Sequence, residues 1–220
     1  MTPCFVPVPG LNGVFTGQLR KLSCTVLRLA DGGLCVYSPV AGLEKSLLAQ
    51  QRDLGPVTAI LAPNHYHNKG LKAHVDAFPN AALYASTAAT PRLSQITGLD
   101  FRPLENLQAA LGAGQVFHEP HGLKTGEVWV QLNMSDARAL IVTDAFAAAM
   151  RPPGEMNDRV TMLGTFPRYG VSDVAIYTAW ASEMLTAAAP TMLLPCHGAP
   201  VVAADLTSQL IEQVNGLRAP

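Results

Sequence analysis

The run Val57-Thr58-Ala59-Ile60-Leu61-Ala62 constrains this chain more than any other stretch. Six consecutive, almost wholly apolar residues suit a strand covered on both faces, so layers must lie on either side of its sheet. The run stops at Pro63, and a polar knot follows: Asn64-His65-Tyr66-His67-Asn68-Lys69-Gly70. Side chains of an extended segment repeat every second residue, so His65 and His67 are expected to point the same way. Two imidazoles on one side of a strand end make half of a metal site, or, with no further ligand, an ordinary pair of loop histidines.

The strand theme recurs along the chain. Residues 19–30 read as a strand, Asp31-Gly32-Gly33 as a hairpin turn, and Leu34-Cys35-Val36-Tyr37 as its partner, closed by Ser38-Pro39. Helices are predicted over residues 43–52 and 71–78, with a short strand at 81–84 and a mixture of helix and loop over 87–114. In the second half, Glu127-Val128-Trp129-Val130-Gln131-Leu132 alternates like a half-buried strand, and Ala139-Leu140-Ile141-Val142 reads as a buried one ending on Thr143-Asp144. A long helix over 174–188, a strand at 192–194 and a closing helix over 206–217 complete the pattern. Strand runs followed by helices, given twice, predict an α+β chain with two sheets packed together and helices outside.

At 220 residues, 49% hydrophobic and 14% charged, the chain is predicted to be one domain over residues 1–220 with a sizeable core. A net charge of −1 leaves no field for a polyanion, so nucleic acid is not an expected partner. No run approaches the length of a membrane span, and the N-terminal residues lack a basic segment followed by an apolar one. Cys4, Cys24, Cys35 and Cys196 form no Cys-x-x-Cys pair and suit reduced thiols. The expectation is a cytoplasmic protein that takes a small-molecule substrate, away from membranes, with a homodimer as the allowed assembly.

Polar residues now stand at four strand ends: His65 and His67, His121, Asp144 and His197. Imidazole and carboxylate are ligands of zinc and of borderline first-row metals, and strand ends fix their positions before the ion arrives. Among the others, His74 falls inside a helix and is expected to be solvated or half-buried. His118 competes with His121, but Pro120-His121-Gly122 is the tighter turn. Asp144 has the ordinary alternative of a turn aspartate. Cys196 beside His197 invites a nucleophile reading, which adjacent residues facing apart disfavour.

Together these residues resemble the metallo-β-lactamase fold superfamily, whose members share a four-layer αββα sandwich with a metal site at one edge. The family motif His-x-His-x-Asp-His reads here His65-Tyr66-His67-Asn68-Lys69-Gly70. The later single histidine matches His121, the strand-following aspartate Asp144, and the last histidine His197; the likeness spans about residues 15 to 200. The stretches around Asp31-Gly32-Gly33-Leu34, Leu54-Gly55-Pro56-Val57 and Ala62-Pro63-Asn64 are similar to a DUF4336-like bacterial branch, which implies no particular substrate.

The resemblance implies His65, His67, His121, Asp144 and His197 as metal ligands. Lys69 and Gly70 replace the aspartate and histidine that serve a second ion, and an ammonium cannot ligate while charged. One zinc ion is therefore expected at His65, His67 and His121, with iron or manganese as alternatives and the second site empty. Catalytic roles fall to Asp144, which orients water or completes the coordination, and to Lys69, whose charge stands in for the missing ion and pairs with Asp144. The implied activity is metal-dependent hydrolysis of a small ester, thioester or lactone. The rival is a non-catalytic binding protein of the same fold, and a flavin- or iron-linked redox role is weaker.

Overall fold

The computed structural model describes residues 4–135 and 137–218. Met1 to Pro3, the start of the segment read for a leader, lie outside the described residues.

The first half builds a seven-stranded sheet in sequential order. Its strands are β1 (Phe5–Pro7), β2 (Val14–Leu19), β3 (Leu22–Arg28), β4 (Leu34–Tyr37), β5 (Val57–Leu61), β6 (Ala82–Ala85) and β7 (Arg102–Pro103). The first four pair antiparallel; β4 to β7 run parallel. Their crossovers carry α1 (Glu44–Leu54), α2 (Leu71–Ala77) and α3 (Thr90–Thr97), and α4 (Leu104–Gln108) follows β7. The second half builds a six-stranded sheet from β8 (Gln115–His118), β9 (Trp129–Asn133), β10 (Arg138–Ala147), β11 (Thr161–Met162), β12 (Met192–His197) and β13 (Val201–Val202). Its helices are α5 (Phe166–Tyr169), α6 (Val174–Ala188) and α7 (Leu206–Asn215).

Period-2 alternation sorts the side chains into three apolar layers. Cys35, Tyr37, Ala59 and Leu61 meet Ile141, Leu194 and Cys196 between the sheets. Val36, Ile60 and Ala62 face the other way, onto Leu43, Leu47, Leu71 and Leu93 of the first helical layer. Leu140, Val142 and Leu193 likewise face Tyr177, Leu185 and Leu210 on the opposite flank. The expected αββα sandwich is what these faces make, and the 57–62 run is buried on both sides because helices cover one and the second sheet the other. No helix among the described residues is long and apolar enough to cross a membrane.

Local departures have physical reasons. The predicted strand over 19–30 is in fact split: β2 and β3 form a hairpin in which Leu19 pairs with Leu22. Arg20 makes the turn at φ +58°, a conformation more usual for glycine or asparagine, so no turn residue announces it. His74 is wholly buried rather than solvated. Its Nδ1 donates to the Gly70 carbonyl at 2.9 Å, and burial lowers its pKa, partly offset by that hydrogen bond and by Glu44.

A pH effect on stability follows from His74. The folded chain keeps this imidazole neutral, whereas the unfolded chain protonates it near its ordinary value of 6.5. Stability from this group is thus present above 6.5 and lost as pH falls through the lowered folded value, at up to about 1.4 kcal/mol per pH unit. Urea midpoints should show His74→Met closing on wild type between pH 7.5 and 5.5; a constant gap refutes the assignment.

Candidate metal centre

The knot leaves β5 through Pro63 and is shaped by Asn64, which is fully buried. Its Oδ1 accepts the backbone N–H groups of Tyr66 (2.8 Å) and His67 (3.1 Å), a side-chain turn that swings His67 back over the sheet edge. Asn68 Nδ2 closes the knot on the His65 carbonyl at 2.7 Å. Gly70 ends it because a Cβ there would stand 2.1 Å from the Pro39 carbonyl oxygen.

Asp144 arrives from the second sheet on an irregular stretch of β10. Between the pairs Val142–Pro195 and Ala147–His197, four residues of β10 run beside the single Cys196 of β12. The surplus backbone bulges, and Asp144 sits on it. Three successive N–H groups of the bulge, from Thr143, Asp144 and Ala145, are directed at one oxygen, Glu127 Oε1, at 3.3, 3.2 and 3.4 Å. Trp129 Nε1 donates to the same oxygen at 3.0 Å. Burial, with the Asp144 charge behind it, pushes the Glu127 carboxyl up to about 8 against these hydrogen bonds, which favours its protonated form.

At the centre, Asp144 Oδ1 accepts from Nε2 of His197 at 2.8 Å and Nε2 of His67 at 3.0 Å. Asn64 Nδ2 donates to its other oxygen at 2.7 Å. The two imidazoles stand nearly perpendicular, 5.5 Å between ring centroids. Burial alone would raise the Asp144 carboxyl, but the hydrogen bonds and charge of His197 and His67 hold it well below the usual carboxylate range. Ser38 Oγ lies 2.7 Å from His67 Nδ1 and donates to it in this tautomer. Ser38 is itself buried and held at φ +58°, a left-handed conformation rare for serine that an ordered site maintains. His197 is set by the turn into Gly198, at φ +126° under the Ala148 carbonyl.

The ligating atoms of His67, Asp144 and His197 all lie within 4.8 Å of one another. Two imidazole nitrogens and an ionised carboxylate are a donor set for zinc, iron or manganese, so the residues fit a divalent cation. His65 Nε2 is buried without a hydrogen-bond partner among the described residues and is not part of that group. The His65 pKa is lowered by burial and by Arg92, with Asp144 opposing.

The arrangement brings some of the expected residues together and leaves others apart. The group that assembles is His67, Asp144 and His197 rather than His65, His67 and His121. His121 is exposed on the turn before β9, its ring 5.8 Å from that of Trp180 on α6, so an aromatic neighbour in the outer helical layer takes it away from the centre. Lys69 does not pair with Asp144, whose oxygens are taken by His67, His197 and Asn64; it lines the cleft above with no ion pair among the described residues. Cys196 faces the inter-sheet core, opposite to His197, and burial holds its thiol well above the ordinary value. His118 spends its Nε2 on Gln131 Oε1 at 2.8 Å. Sequence reasoning missed Ser38, Asn64 and Glu127 as supporting groups. Asn64 alone carried a signal, an asparagine two and three residues ahead of the N–H groups it binds.

Ser38→Ala removes the only side-chain partner of His67 Nδ1 among the described residues. The expected result is metal affinity lower by about 10-fold, read by competition with a chromophoric chelator, with the melting transition little changed. Unchanged affinity removes Ser38 from the site.

The centre opens into a cleft of about 800 Å³ between the sheet edges. Leu19, Arg20, Leu22 and residues 39–41 line it from the first half of the chain, Leu163, Thr165, Phe166 and Tyr169 from the second, together with His67, Asp144 and His197.

No protein-family model matches this chain, and no curated protein matches it. Solved structures do. A metallo-β-lactamase from Erythrobacter litoralis, with β-mercaptoethanol in the active site, superposes with a TM-score of 0.67 at 15% identity, over 98% of this chain and 97% of that one. The mono-zinc form of FIM-1 from Pseudomonas aeruginosa gives 0.65 at 13%, over 98% and 96%. The Hirschia baltica metallo-β-lactamase gives 0.63 at 12%, over 97% and 98%. Identities this low speak for architecture, and the architecture matches over nearly whole chains: this protein has the metallo-β-lactamase fold.

Proposed function

We propose that this chain is a metal-dependent hydrolase of a small ester, thioester or lactone. The observation that carries the reading is the convergence of His67 Nε2, His197 Nε2 and Asp144 Oδ1 at the floor of an open cleft. A divalent cation held there would supply Lewis acidity and an activated water near neutral pH. The chain's own residues do the rest. Asn64 and the two imidazoles keep Asp144 ionised, Ser38 orients His67, and the apolar walls limit water. Lys69 lines the cleft, where its ammonium would stabilise negative charge developing on a substrate oxygen.

Elemental analysis of protein purified without chelator tests this reading. About one equivalent of zinc, iron or manganese is expected, and none of the three sinks it. Lys69→Ala is expected to keep its metal and to lower kcat for a hydrolysed ester by about 10-fold or more. Full turnover with intact metal would discard the electrostatic role.

A non-catalytic binding protein is the second reading, favoured by one observation: the three residues already satisfy one another through hydrogen bonds to Asp144 Oδ1. A loaded protein that turns over no member of an ester, thioester and lactone panel selects it.

A further inference from the structure

The cleft is far larger than an ion and a water require; its volume of about 800 Å³ is that of a site for a drug-sized molecule. Its lining is mostly carbon: Leu19, Leu22 and Val40 from the first half of the chain, and Leu163 and Phe166 from the second. Two cations, Arg20 and Lys69, line it on the wall built by the first sheet, and both are exposed with no ion pair among the described residues. Asp144 is the sole carboxylate lining it, and its charge is spent on His67, His197 and Asn64. Behind two of the lining residues, Arg92 lies 5.4 Å from the ring centroid of Tyr66 and Arg168 5.3 Å from that of Tyr169, two further cations one side chain away from the cleft. Arg20 holds the left-handed conformation of a hairpin tip.

We infer that the cleft takes an amphipathic anion: an apolar acyl body between the walls, with a carboxylate or similar anionic group held by Arg20 and Lys69. What the centre then does to such a ligand rests on the hydrolase reading; the recognition does not. A neutral substrate would make no use of the two cations beside it. A small hydrophilic anion would leave the carbon walls wet. One ligand class satisfies both features.

Calorimetric titration of the purified protein with octanoate, octanamide and acetate at low salt tests the inference. Octanoate should bind at least roughly 10-fold tighter than octanamide, as removal of one charge-assisted hydrogen bond demands. It should exceed acetate by about threefold to fourfold for each added methylene that enters the cleft. In the Arg20→Gln/Lys69→Ala double variant, octanoate should lose that roughly 10-fold advantage while octanamide is unmoved, with the fold confirmed by circular dichroism. Equal affinity for octanoate and octanamide overturns the inference. So does undiminished octanoate binding in the double variant, which would place the carboxylate on the histidine–aspartate centre.

Parallel assays of a neutral 4-nitrophenyl hexanoate and the anionic mono-4-nitrophenyl adipate separate the two readings. Octanoate selectivity without turnover of either ester upholds the ligand class and ends the hydrolase. Turnover of both esters at one rate, with no octanoate selectivity, does the reverse.

Discussion

Asp144→Ala is expected to lower metal affinity by roughly 1,000-fold and to abolish any metal-dependent turnover. A charged ligand is lost outright, and the two imidazoles lose the oxygen that holds them together. Removal of a supporting residue alone typically costs 10- to 100-fold in affinity, so loss of a ligand should exceed that. Stability offers an independent readout. An ion that binds only the folded state adds about 2.7 kcal/mol at 100 times its dissociation constant. Wild type should therefore melt higher with added zinc, while Asp144→Ala should not shift. Asp144→Asn, which keeps the acceptor oxygen but not the charge, should fall between them. A zinc shift of full size in Asp144→Ala would place the ion elsewhere.

Glu127→Ala is the second large effect, this time on folding. It strips one acceptor from four buried donors at once: the N–H groups of Thr143, Asp144 and Ala145 and the indole of Trp129. At about 1–3 kcal/mol per orphaned group, tempered by relaxation of the bulge, the expected loss is about 3–5 kcal/mol, a large share of ordinary domain stability. Glu127→Gln keeps the acceptor and resembles the neutral acid, so it should cost no more than about 1 kcal/mol below pH 4.5, where the acid is protonated in both states.

The pH profile carries the sign of the shift. The folded chain retains a proton up to about 8 that the unfolded chain releases near 4.5. Stability from Glu127 is therefore full below 4.5 and declines as pH rises through the window to 8, by up to about 1.4 kcal/mol per pH unit. Wild type should lose ground to Glu127→Gln over that span in chemical denaturation. A flat difference shows that Glu127 is ionised in the fold, held by its N–H donors.

The layered architecture was legible because burial writes itself into period two. Val57 to Leu61 and Ala139 to Val142 carry apolar side chains on both faces, and both strands lie between layers. His67, Asp144 and His197 were legible as polar groups at strand ends. Other features depended on non-local geometry. Pro120-His121-Gly122 reads as a tight turn wherever it goes, and only the packing of Trp180 decides that His121 faces away. Glu127 heads an alternating run and passes for a surface strand residue, yet it is buried before β9 begins. Ser38 and Arg20 adopt left-handed conformations that nothing in their residue type suggests.

The Ser38 hydroxyl leaves the centre able to exist in two protonation patterns with almost no movement of heavy atoms. With a neutral ring, the contact to Asp144 requires the His67 proton on Nε2, and Ser38 then donates to Nδ1. For Nε2 to offer a lone pair, the proton must reside on Nδ1 instead, and Ser38 need only rotate its O–H to become the acceptor. A main-chain carbonyl in its place would accept in one tautomer and repel in the other. The serine makes the switch between a closed hydrogen-bonded triad and an ion-ready one a matter of proton position, so loading and unloading need not disturb the sheets that carry the ligands.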